Sequence, residues 1–293
     1  MIARGADGGG RAGAVRAGAL TALAMGAFAG NSLLCRLALR DTPIDAATFT
    51  AVRLVGGAAM LWCLARLLAA GRDGRGSWPS ALALFAYAAG FSYAYVSLPA
   101  ATGALLLFGA VQATMIGAGL WRGERLRALQ WGGLALAGAG LVGLLLPGLA
   151  APPAGGALLM TGAGIAWGVY SLRGRGTGDP TRVTAGNFLR AAPLGIVLSL
   201  ALAPGVRPDP AGLGYALASG ALASGLGYAI WYAALPALKS TSAAVVQLSV
   251  PVITALAAAL FLGEALSARL LLATPAILGG IALVIAGRRP AVD

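Results

Sequence analysis

Residues 239–266 read KSTSAAVVQLSVPVITALAAALFLGEAL. No charged side chain falls between Lys239 and Glu264. Such a run exceeds the roughly 20 apolar residues that an α-helix needs to cross the hydrocarbon core of a bilayer. It carries a proline in its middle, Pro251, and ends on Gly263-Glu264. Residues 98–126, LPAATGALLLFGAVQATMIGAGLWRGERL, have the same plan. At a constant offset Thr102 meets Ser242, Ala104 meets Ala244, Gly123 meets Gly263, Glu124 meets Glu264 and Leu126 meets Leu266. Val111 stands where the second stretch has Pro251, so the earlier helix is expected to be the less kinked of the two.

Working outward, the rest of the chain repeats the pattern. Apolar runs occupy residues 17–39, 46–70, 79–97, 100–121, 128–147, 156–173, 183–203, 210–232, 240–262 and 268–287. Ten such runs in 293 residues leave no length for a catalytic module outside the membrane. Composition agrees. Charged residues are 10% of the chain, against about 25% in soluble proteins, and the mean hydropathy is +0.83. The 45 glycines suit helices that pack closely in lipid. Arg4, Arg11 and Arg16 precede a first run, Ala17 to Cys35, that is longer than the apolar core of a signal peptide. An uncleaved first helix is therefore expected.

The net charge of +12 is a matter of topology. Its arginines lie between apolar runs with no interleaved aromatics, which argues against a nucleic-acid partner. With the N-terminus in the cytoplasm, fifteen Lys and Arg residues fall in inside segments and four (Arg36, Arg40, Arg207 and Arg269) in outside ones. Cytoplasmic loops retain positive charge. Both termini are expected to be cytoplasmic, in the inner (plasma) membrane.

The first and sixth runs also align: Ala27, Phe28 and Ser32 meet Ala166, Trp167 and Ser171. Residues 1–147 and 148–293 thus read as two five-helix repeats. An odd number of crossings inserts the second repeat upside down, and inverted repeats place a substrate site near the midplane between them. The predicted fold class is an all-α integral membrane protein, with ten transmembrane helices around a central cavity.

These stretches, with WGGLALAGAGLVGLLL at 131–146 and PAILGGIALVIAG at 275–287, resemble the EamA-type repeat of the drug/metabolite transporter superfamily. Arg53 in the second run and Trp167 in GAGIAWGVYSLRGR fit the same pattern. Nearest in kind are the ten-helix, YddG-like exporters of amino acids and metabolites. The resemblance implies a carrier whose third, fourth, eighth and ninth helices line the cavity, helped by the first and sixth.

Helical phase then selects side chains. Leu84, Tyr87, Phe91 and Tyr95 share one face of the third run; Ser224, Tyr228 and Trp231 share one face of the eighth. Tyr95 and Trp231 lie near run ends and read as interface-belt residues. The deeper Tyr87, Phe91, Gln112, Trp167, Tyr228 and Gln247 are the candidate substrate-binding residues. Buried amides need partners, which makes Gln112 and Gln247 the most informative of these. Arg53 and Arg190 sit about eight residues into their runs. Each is read either as an anchor for a substrate carboxylate or as a guanidinium bonded to exposed helix-end carbonyls or snorkelling to water, and the second reading is preferred. Glu124 and Glu264, at helix ends where the dipole disfavours anions, are expected to make a salt bridge or cap a neighbouring helix. Gly26-x-x-x-Gly30 and Gly164-x-x-x-Gly168 read as packing seams.

No histidine is present and no carboxylate lies deep in a run. That removes the usual proton relays of pumps and the groups for acid–base catalysis. An enzyme is not expected, nor a cofactor or metal; Cys35 and Cys63 have no ligand spacing and read as packing residues. The expected partners are the bilayer and a small neutral or zwitterionic solute, such as an amino acid or amphipathic metabolite. A lipid-handling or structural membrane protein, or a channel, is the rival reading. The topology is tested by reporter fusions: those at Gly148 and Gly205 should read outside, and those at Gly74 and Gly178 inside. The opposite pattern at any two sites refutes it.

Overall fold

The computed structural model describes residues 7–67, 74–123, 125–146, 148, 151–174, 178–202, 209–238 and 240–286. Among them every regular element is a helix. The order is α1 (Asp7–Asp41), α2 (Ala46–Leu67), α3 (Trp78–Tyr95), α4 (Ala100–Trp121), α5 (Ala128–Leu145), α6 (Ala154–Arg173) and α7 (Pro180–Leu202). Next comes a composite rod, Pro210–Ala237, in which α8 (Pro210–Leu217) passes through a π-helical segment (Ala218–Leu226) into α9 (Gly227–Ala234). A ninth rod is broken into α10 (Ser240–Gln247) and α11 (Ser249–Phe261), and α12 (Ala268–Ala286) ends the described chain.

Eight of these helices are long and apolar enough to cross a membrane. The sequence count of ten differs at two places, each with a reason. Tyrosines and serines, with Trp78 and Pro79, lower the hydropathy of α3, WPSALALFAYAAGFSYAY. The ninth run, expected to be one helix over 240–262, is interrupted at Leu248, whose N–H bonds Val245 O (3.0 Å) in a tighter turn. Pro251 has no N–H to offer the carbonyl of Gln247, and the helix restarts at Ser249. Where Val111 replaces the proline, α4 runs unbroken, as expected from the sequence. The π-helical segment was not expected, and α1 starts ten residues before the predicted run.

The outside of the bundle is apolar: Trp121 is 93% exposed and Phe261 79%. Polar groups point inward or sit at the ends, the arrangement lipid imposes. Within the bundle α2 lies along α7 and α5 along α12. Helices α3 and α4 both pack on α6, while α1 packs on the composite rod and on α11. Helix α2 meets the π-helical segment, α3 meets α7, and α4 meets α11.

Glycine sets the closest of these approaches. At the α5–α12 crossing a side chain on Gly133 would strike the carbonyl of Gly280, and one on Gly280 would strike the carbonyl of Gly133. The crossing is held by Gln130, which donates to Val284 O (3.0 Å). Gly164 and Gly168 lie against Leu107, Ala110 and Thr114 of α4, so that pair is a seam. Gly26 and Gly30 face open space, and the seam expected there is absent. Gly133→Ala should destabilise the protein by about 1–3 kcal/mol, the usual cost of overpacking. Gly138→Ala, with nothing within 4 Å, should be neutral or mildly stabilising. Thermal unfolding in detergent distinguishes the two.

Candidate functional site

The centre of the bundle holds an aromatic-walled cavity of about 30 Å³, room for a water molecule or two. Phe28, Asn31 and Ser32 reach it from one face of α1, and Tyr87 and Phe91 from α3. Leu107 and Phe108 of α4, Trp167 of α6, Ala223 of the π-helical segment, Tyr228 of α9 and Gln247 of α10 complete the wall. The rings form one connected set. Trp167 stacks on Tyr228 with centroids 5.2 Å apart and meets Tyr87 at 4.8 Å. Tyr87 meets Phe91 at 5.4 Å, and Phe28 meets Tyr228 at 5.7 Å.

Five of the six residues selected from helical phase therefore stand around one space: Tyr87, Phe91, Trp167, Tyr228 and Gln247. Gln112 is buried but is not among the lining residues; it sits one turn beyond Phe108 on the same face of α4. The Gln247 side chain donates to Ala243 O (3.3 Å). Tyr95 and Trp231 are not belt residues. Both are buried, with the Tyr95 hydroxyl donating to Ala100 O (3.3 Å) and its ring filling the space a side chain at Gly103 would need. Cys35 is buried and Cys63 lies on the outer face.

A polar chain runs beside the cavity. Ser219 donates to the Asn31 amide oxygen (2.6 Å), and the Asn31 amide nitrogen donates to the Tyr87 hydroxyl (3.3 Å). That hydroxyl also accepts from Arg53 Nη2 (2.9 Å). The preferred reading of Arg53 is thereby overturned. It is 1% exposed, too deep to snorkel to the rim, and among the described residues it bonds no helix-end carbonyl. Its guanidinium lies 5.1 Å from the Tyr87 ring centroid and 4.7 Å from that of Phe91, while Nη1 is buried without a hydrogen-bond partner. Arg190 does bond backbone carbonyls, though not at a helix end: it donates to Gly186 O, one turn back within α7, and to Arg75 O in the segment before α3. Sequence reasoning missed Phe28, Asn31, Ser32 and Ser219. The adjacent Asn31-Ser32 in an apolar run was the available signal, because a buried amide requires partners.

One end of the bundle is clasped by Glu264. Gly263 adopts a left-handed conformation (φ +63°), which ends α11 and turns Glu264 toward the neighbouring elements. One carboxylate oxygen accepts from Arg36 Nε (2.9 Å) and the other from the backbone N–H of Ala100 (2.7 Å). Arg36 also donates to Tyr95 O and Arg40 to Leu262 O. The anion thus serves the N-terminus of α4, where the helix dipole favours it. Glu124 lies outside the described residues.

Residues 154–286 match the EamA-like transporter family. A protein of Pseudomonas aeruginosa named "Uncharacterized protein PA1977" is 62% identical over 267 residues, 91% of this chain and 93% of that protein. A crystal structure of a protein 22% identical in sequence superposes with a TM-score of 0.66, over 91% of this chain and 95% of that one, and shows the same fold. The chain is a multi-pass membrane protein built for transport. Its second half carries an EamA-like transporter family domain, which supports a place in the drug/metabolite transporter superfamily.

The clasp makes a stability prediction. Glu264, 9% exposed, leaves Arg36 and a helix N-terminus unpaired when it is removed. Glu264→Ala should therefore cost on the order of 2–4 kcal/mol. Asp41→Ala, which breaks an exposed pair with Arg40, should cost under about 1 kcal/mol. Equal losses in thermal unfolding would show that Glu264 does not clasp this end.

Proposed function

We propose that this chain is a secondary carrier that exports small organic solutes, amino acids and related metabolites, by alternating access. The observation that carries the reading is that both halves of the chain build one cavity: Phe28, Asn31, Tyr87 and Phe91 from the first, Trp167, Tyr228 and Gln247 from the second. The packing supports two repeats, residues 1–147 and 148–293. Exchange the first rod with the sixth, the second with the seventh, and so on. The α3–α6 contact then becomes that of the composite rod with α1, and α4–α6 becomes α11–α1. The α2 contact with the π-helical segment becomes α7–α3, while α2–α7, α4–α11 and α5–α12 map onto themselves. Ten crossings with both termini in the cytoplasm, in the inner membrane, complete the reading. The nearest functional kin on this view are the YddG-like exporters.

In this mechanism Tyr87, Phe91, Trp167 and Tyr228 provide apolar faces, and Gln247 orients polar groups of the solute. The present cavity is too small for an amino acid, so binding requires the rings to part. Widening along α4 past Phe108 reaches Gln112, which gives that residue its place in the site. With no histidine in the chain, flux follows the substrate gradient as facilitated diffusion or exchange.

The test uses proteoliposomes with equal substrate on both sides under an imposed pH gradient and membrane potential. Equilibration without accumulation, with trans-stimulated exchange, is expected. Accumulation abolished by an uncoupler refutes gradient-driven flux; unsaturable flux without counterflow indicates a channel. Gln112→Ala and Gln247→Ala should each slow transport while membrane insertion is retained.

A further inference from the structure

The geometry points to Arg53 as the binding residue for a carboxylate on the transported solute, an inference that rests on the carrier reading above. Arg53 lies seven residues past the start of α2, roughly 10 Å along its axis. A guanidinium stays protonated under all ordinary conditions, so the charge cannot be shed. It is nonetheless 1% exposed, and among the described residues its only hydrogen bond is to the neutral Tyr87 hydroxyl. The described ion pairs all lie at the clasped end of the bundle, on Arg36 and Arg40. Arg53 does not itself line the cavity; it lies directly behind the Tyr87 and Phe91 part of the wall, so a solute reaches it when those rings part. Two lining rings stand within about 5 Å of its guanidinium, and its one partner, Tyr87, is also bonded to the lining Asn31. Nη1 remains without a partner.

A buried cation with an empty donor is costly, and the fold holds it firmly in place. The π-helical segment presses on the backbone of Arg53 so closely that a side chain at Gly220 would overlap the Arg53 carbonyl. A planar anion would satisfy the empty donor. A carboxylate accepts two parallel bonds from a guanidinium, and inside low-dielectric walls that pairing supplies both affinity and orientation. The ring-lined space beside it suits an apolar body. The solute class is therefore an apolar or aromatic molecule bearing one carboxylate, with or without an ammonium group. A bare amine of the same shape would meet like charge.

The probes share a phenyl ring and differ in their charged ends: L-phenylalanine, 3-phenylpropionate, L-phenylalaninamide and phenethylamine. The two acids should raise the thermal midpoint of the purified protein, enter proteoliposomes and exchange against each other. The amide and the amine should do neither, with at least tenfold slower uptake. Arg53→Met, which removes the charge and keeps the volume, should abolish the response to acids. Its own midpoint without solute should equal or exceed that of the parent, because no structural ion pair is lost. Arg53→Lys, which keeps the charge and loses the fork, should retain part of the response. Transport of the amide and amine as fast as the acids overturns the Arg53 assignment and leaves the carrier intact. So does an Arg53→Met protein that still takes up the acids, or one that melts well below the parent. Stabilisation by acids through Arg53 with no transport of any probe keeps the assignment and overturns the carrier. If neither acid stabilises the protein or is transported, the assignment falls.

Discussion

Arg53 carries a permanent charge into the buried interior of a molecule made almost wholly of apolar side chains, and the elements around it are arranged to hold it there. In lipid the cost of such a charge cannot be relieved by water from the outer face. Tyr87 supplies an oxygen, Phe91 and Tyr87 supply ring faces, and Gly220 lets a whole helix backbone close over the same turn of α2. The hydrogen bonds then propagate: the Tyr87 oxygen serves Asn31, and Asn31 serves Ser219. Four elements, α1, α2, α3 and the π-helical segment, meet through one polar chain. That explains why the polar residues of this region cluster in a bundle with so few of them.

Much of this was legible beforehand because lipid makes sequence patterns strict. Apolar length set the helices, period brought Tyr87, Phe91, Tyr228 and Gln247 to one space but left Gln112 a turn beyond it, and Trp167 came from the repeat pattern. The failures share a cause: each depends on where one helix stands against another. Distance from the end of a run made Tyr95 and Trp231 look like belt residues, whereas the packing of α3 and α9 buries them. Depth alone could not tell Arg53, which among the described residues bonds a side-chain hydroxyl, from Arg190, which bonds two backbone carbonyls. The glycine pairs Gly26/Gly30 and Gly164/Gly168 are alike in sequence, yet one faces open space and the other lies against α4. The π-helical segment had no periodic signature. Its run of small residues, ASGALASGL, permits a wider coil without demanding one.

The Gly-Glu pair shows how a local turn acquires a long-range task. Read along its own helix, Glu264 stands at the unfavourable end of a dipole. Once Gly263 turns the chain, the same carboxylate faces the start of α4 and the Arg36 guanidinium, and both interactions become favourable. The second half of the chain thereby fastens two elements of the first at one end of the cavity. An opening at that end must release the ion pair and the helix cap together, because one side chain makes both.

The seam between α4 and α6 has a further consequence. Gly164 and Gly168 meet Leu107, Ala110 and Thr114 largely through backbone and short side chains. Such a surface has almost no rotamers to freeze when it closes and few to release when it parts. Its contact energy is dispersion between smooth faces, which changes gradually as one helix shifts along the other. Long interlocking side chains would give the same two helices a ratchet with discrete stops. This pair has no such stops, and the bulky contacts of α6 are instead those of Trp167 with Tyr87 and Tyr228.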